Sequence, residues 1–139
     1  MRYRIFFSAL AALHAAFIFG LSSRPFPEPS VWNVPGLDKI VHAMLYSILA
    51  VFIFGALYRG QGQLRLKYDF ILPILWATLY GLSDEVHQLF VPTRSFDPLD
   101  VLADASGAVL GQWLLFRYFG WLPALSLAWR RKPSHDAAG

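Results

Sequence analysis

Four apolar stretches, at residues 5–21, 38–58, 70–91 and 99–121, each approach the length that crosses a hydrocarbon core at about 1.5 Å of rise per residue. Few folds are open to such a chain. Inside a bilayer every backbone N–H and C=O must be satisfied within a helix or a closed barrel. The chain is 56% hydrophobic and 15% charged, whereas soluble domains carry about 25% charged residues. The expected fold is all-α: an integral membrane bundle of four transmembrane helices spanning residues 1–121, with an interfacial or disordered tail at 122–139. The absence of cysteine excludes disulfides and thiolate chemistry. No basic cluster is interleaved with exposed aromatics, so nucleic acid is not an expected partner.

The connectors carry different chemistry. Residues 22–36 hold Pro25, Pro27, Pro29 and Pro35, which predicts an extended surface loop. Arg2 and Arg4 before an apolar run ending in Leu21-Ser22-Ser23 also admit a signal-peptide reading, but the run is long and lacks a small-x-small site. Nine basic residues lie on one side of a four-span arrangement and Arg24, Lys39 and Arg94 on the other. The positive-inside rule then places both termini in the cytoplasm of a multi-pass cell-membrane protein. Most acids fall on the opposite, outward side, and acids contribute little to topology. Their clustering points to an outward-facing polar pocket.

Three polar stripes form that pocket. Lys39, His42 and Tyr46 share one face of the second span, with Asp38 at its start. Tyr80, Asp84, His87 and Gln88 form a broad stripe on the third, with Glu85 at its edge. Asp97, Asp100, Asp104, Gly107 and Gly111 follow one face of the fourth. An ionisable side chain near a helix centre costs about 2.5–3.5 kcal/mol to insert, so this density implies partners or function. Adjacent carboxylates in a partly dry site can supply a general acid and a general base. Glu85, His42, Asp100 and Asp104 are the candidate catalytic group. Lys39, Arg94, Gln88, Tyr46, Asp38 and Asp97 are the candidate substrate-binding group, with Lys39 and Arg94 facing anionic atoms such as phosphate; the alternative for Lys39 is a structural salt bridge to Asp38 or Asp100 that locks the bundle. His42, His87 and the acids are also metal-ligand types. No metal-ligand spacing appears, and no metal is expected; the cofactor is left open. Gly107-x-x-x-Gly111 suits close helix packing, and His14 suits an interhelical hydrogen bond.

The sequences D-K-I-V-H-A-M-L-Y at 38–46, E-V-H-Q-L-F-V-P-T-R-S-F-D-P-L-D at 85–100 and D-A-S-G-A-V-L-G at 104–111 resemble the VanZ-like membrane family, in order, on successive spans. The motif core covers residues 36–111. Asp104 departs from the family pattern, which has asparagine there. The resemblance implies a cell-envelope protein, with a link to low-level resistance to the glycopeptide teicoplanin, and names no reaction. The expected activity is to act on or bind a lipid-linked or cell-wall component at the outer leaflet. Membrane lipids are its expected surroundings and oligomer formation is left open. The alternatives are a non-catalytic binding or accessory protein and a small ion- or proton-coupled carrier.

Overall fold

The computed structural model describes residues 2–25, 36–58 and 66–119, which form four α-helices and no strand. They are α1 (Arg2–Ser22), α2 (Leu37–Leu57), α3 (Leu72–Gln88) and α4 (Pro98–Phe119). Helices α1, α2 and α4 are long and apolar enough to cross a membrane. A π-helical segment, Leu66–Ile71, runs directly into α3 and lengthens it. Pro73 gives that segment a cause. It lacks an N–H, and its ring crowds the carbonyl four residues back, so the backbone widens ahead of it. The tail at 122–139, most of the connector at 22–36 and the final residues of the fourth expected span lie outside the described residues.

Polarity is arranged inside out relative to a soluble bundle. Phe6, Leu13, Phe17, Met44, Trp76, Leu102 and Trp113 are exposed, while Asp84, Glu85, Gln88, Asp100, Asp104 and Gln112 are buried. Lipid tails are as apolar as leucine, so helix association there rests on close packing and interhelical hydrogen bonds. With these helices the chain is a multi-pass membrane protein.

Interhelical hydrogen bonds fix direction. Arg4 Nε donates to the Ala56 carbonyl, and the His14 ring to that of Leu45, both at 3.0 Å, so α1 and α2 are antiparallel. Tyr80 donates to the Ala15 carbonyl at 2.7 Å and Ser22 to the Asp84 carboxylate, so α3 runs with α1. Gln112 Nε2 donates to the Ala50 carbonyl at 2.7 Å, and α4 runs with α2. The ends of α1 and α3 and the starts of α2 and α4 therefore meet at one end of the bundle.

The most extensive contact joins α2 and α4. A Cβ placed on Gly107 would overlap the Ala43 backbone, and one on Gly111 would overlap the Ser47 carbonyl. The G-x-x-x-G is thus a backbone-to-backbone seam. Helix starts are equally local. Asp97 Oδ1 accepts the Leu99 N–H at 2.8 Å, capping α4 with Pro98 at its first position. The expected third span ends at Gln88 rather than Val91, because Pro92 disfavours helical backbone at the residue before it.

Gly107→Ala should lower thermal stability in detergent by about 1–3 kcal/mol, since backbone cannot move aside as a side chain can. Gly20→Ala has open space around it and should stay within about 0.5 kcal/mol. Equal losses from both would remove the seam from the account.

Candidate functional site

The polar residues of α2, α3 and α4 collect where these helices meet, around a cavity of about 670 Å³. Its wall includes Ser22, Arg24, Asp38, His42, Gln88, Arg94 and Asp100. Three ties organise it.

The first centres on Lys39. Its ammonium bonds Asp38 Oδ2 at 3.0 Å, Asp97 Oδ2 at 2.7 Å and Asp100 Oδ1 at 2.8 Å. A lysine has three donors, and all three are engaged. Lys39 therefore ties α2 to the start of α4 through the bridges to Asp38 and Asp100 that the sequence admits, with Asp97 as a third partner, and has no donor left over for an anionic ligand. Asp97 is held below its ordinary value of 3.8 by the Lys39 hydrogen bond and by the Leu99 N–H.

The second tie joins His42 Nδ1 to Asp104 Oδ1 at 2.9 Å, with Asp104 fully buried. The carboxylate fixes the proton on Nδ1, which leaves the Nε2 lone pair for a proton or another ligand. The His42 ring stacks on Tyr46, with centroids 6.2 Å apart. The second Asp104 oxygen packs against Gly81 and has no hydrogen-bond partner among the described residues. Tyr46 Oη and Asp84 Oδ1 are buried in the same condition.

The third tie holds Glu85. Gln88 Nε2 donates to Oε1 at 2.9 Å, and the Asp97 N–H donates to Oε2 at 3.0 Å. Glu85 is fully buried, at the centre of the α3 stripe and not at its edge. His87 marks the other side of that stripe, where its ring meets Phe19 of α1 and Ser23 just beyond it. One donor atom each from His42, Glu85 and Asp100 lies within 4.8 Å of the other two. Asp38, Asp97 and Asp100 form a similar triplet, already filled by the Lys39 ammonium.

The structure thus brings Asp38, Lys39, His42, Tyr46, Glu85, Gln88, Asp97, Asp100 and Asp104 into one cluster, in which the His42–Asp104 pair lies beside the bonded Lys39–Asp97–Glu85 set. Arg94 stands slightly apart, on the cavity wall, with Nε donating to the Arg24 carbonyl at 3.2 Å. Burial lowers its pKa from the usual guanidinium value. Sequence reasoning missed Ser22, whose hydroxyl reaches Asp84. The signal available was its place at the end of the first span, at the depth of the other polar stripes.

Two outcomes follow. Lys39→Met leaves three carboxylates without their cation and should cost about 3 kcal/mol in a detergent melt; adding Asp100→Asn should recover part of it. The Asp97 tie contributes stability above the unfolded value and loses it as pH falls through the lower folded value. Acid melts below about pH 4 should therefore show a limb that Asp97→Asn, which keeps the cap, flattens.

No curated protein and no solved structure matches the chain. A family model described as VanZ/LLP1 matches residues 3–122, which takes in α2 to α4 and all of α1 but its first residue, and the chain belongs to that family.

Proposed function

We propose that this VanZ-family protein sits in the cell membrane with its cavity facing outward and takes the polar head of a lipid-linked or cell-wall component at the outer leaflet. The nine-to-three distribution of basic residues supports that orientation, with both termini cytoplasmic. The observation that carries the reading is the cavity. It is roomy enough for a head group, opens among helix ends, and has His42, whose Nδ1 is held by Asp104, on its wall. Glu85, with His42, Asp100 and Asp104, is the group through which the protein acts on its ligand. Gln88 and Tyr46 position polar atoms. Arg94 and Arg24 replace Lys39 as the cations nearest an anionic portion. The resemblance to the VanZ-like family supports a link to teicoplanin susceptibility.

A second reading, binding without chemistry, is favoured by one observation: both Glu85 oxygens already accept hydrogen bonds. Glu85→Gln separates the two. Its amide oxygen can keep the Asp97 N–H, and its NH₂ can donate to Gln88 once the Gln88 amide turns over. The variant should insert and melt within about 1 kcal/mol of the parent. If Glu85 acts chemically, the stable variant loses the change in teicoplanin susceptibility that the parent confers on a sensitive host. A stable and fully active variant leaves the binding reading standing.

A further inference from the structure

We propose that His42, Glu85 and Asp100 hold a divalent transition-metal ion, of the Mn²⁺ or Zn²⁺ class, at the cavity wall. The ligand set is one imidazole and two carboxylates from three different helices, with donor atoms within 4.8 Å of one another. That combination suits Mn²⁺ and Zn²⁺ better than Ca²⁺ or a soft ion. Sequence spacing could not reveal it, because each ligand comes from a separate span.

The surroundings favour a cation. Asp104 accepts from His42 Nδ1 at 2.9 Å, which is how a carboxylate outside the metal shell fixes a ligating histidine and presents Nε2. Its other oxygen is fully buried and has no partner among the described residues, as is Asp84 Oδ1 nearby on α3. Asp38, Asp84, Glu85, Asp97, Asp100 and Asp104 outnumber the cations Lys39, Arg24 and Arg94 at this end of the bundle. Lys39 fills the neighbouring Asp38–Asp97–Asp100 triplet and leaves the His42–Glu85–Asp100 triplet open. The existing bonds to Glu85 and Asp100 do not exhaust them, since a carboxylate has about four lone-pair sites. His42 and Asp100 line the cavity while Glu85 lies behind it, so the bound ion has one face toward a ligand.

This explains how a cavity rich in acids would take a phosphate-bearing or otherwise anionic head group: the ion supplies the charge that Lys39 cannot. That use of the ion rests on the function proposed above; the binding of the ion does not.

The test is made on the full chain in lipid nanodiscs, stripped with chelator and equilibrated with Mn²⁺ or Zn²⁺ in the absence of any head group. The parent and His87→Asn should retain about one ion per chain, and His42→Asn, Glu85→Gln and Asp100→Asn should bind more than about tenfold more weakly. Pulsed electron paramagnetic resonance of the Mn²⁺-loaded parent should show coupling to an imidazole nitrogen, a readout that needs no variant to fold. A parent that retains no ion, ion binding indifferent to all three substitutions, or a bound ion without nitrogen coupling overturns the site. A parent that binds the ion while teicoplanin susceptibility is unaltered by its expression would keep the metal site and reject the proposed function instead.

Discussion

The seam between α2 and α4 is the constraint on which the site depends. Gly107 against Ala43 and Gly111 against Ser47 bring two backbones into contact, and that contact fixes both the separation and the axial register of two parallel helices. With the register set, Lys39 faces Asp100, His42 faces Asp104, and Ala50 faces Gln112 further down. A side chain at either glycine would push the helices apart, and every one of these pairs would lengthen together. In a bilayer, where no hydrophobic force drives helices onto one another, two missing side chains are a direct way to specify such a register.

Asp97 converts that register into a closed network. One oxygen caps α4, the other meets Lys39, and its own N–H reaches Glu85. The loop after α3 is thereby bonded to α2, α3 and α4 at a single residue. Glu85 in turn sits without exposure between Gln88 and this loop. A buried carboxylate is costly unless hydrogen-bonded, and both of its oxygens are. The acids that remain incompletely satisfied, Asp84 and Asp104, each keep one oxygen bonded to a neighbouring helix and one without a partner among the described residues. Polar satisfaction therefore falls away from the loop toward the middle of the cluster, next to the His42–Glu85–Asp100 triplet.

The four helices, their order and the three polar stripes were legible in the sequence because each depends on length or on helical periodicity within one segment; of the four, α1, α2 and α4 are long and apolar enough to cross a membrane. The rotation of each helix about its axis was not. A periodic pattern says which residues share a face; it does not say which member of that face points at a neighbour, so Glu85 read as peripheral although α3 turns it inward. A Lys39 bridge to Asp38 or Asp100 was legible, but its full engagement was hidden for a related reason. Its three partners come from residues 38, 97 and 100, and only the folded register shows that they exhaust its donors. The π-helical start of α3 had a local signal in Pro73 that the apolar run obscured. Ser22 had almost none, since a serine at a span end is ordinary until Asp84 is placed beside it.

Asp104 stands where the resemblance to the VanZ-like family implies asparagine, and its surroundings show how the aspartate is accommodated. The position faces Gly81, which has no side chain to crowd the carboxyl group, and His42, whose Nδ1 needs an acceptor. An asparagine side chain would fill the same space and still accept from Nδ1–H through its carbonyl oxygen, so the tautomer of His42 is set in either case. The difference lies in the other atom. Asparagine would present an NH₂ that must find an acceptor between Gly81 and the surrounding acids, whereas aspartate presents an oxygen that lacks a donor. The amide would bring donors into an acid-rich cluster. The carboxylate instead adds negative charge beside His42 and increases the cluster's need for a compensating cation. In this chain the carboxylate concentrates its effect on His42, which lines the cavity.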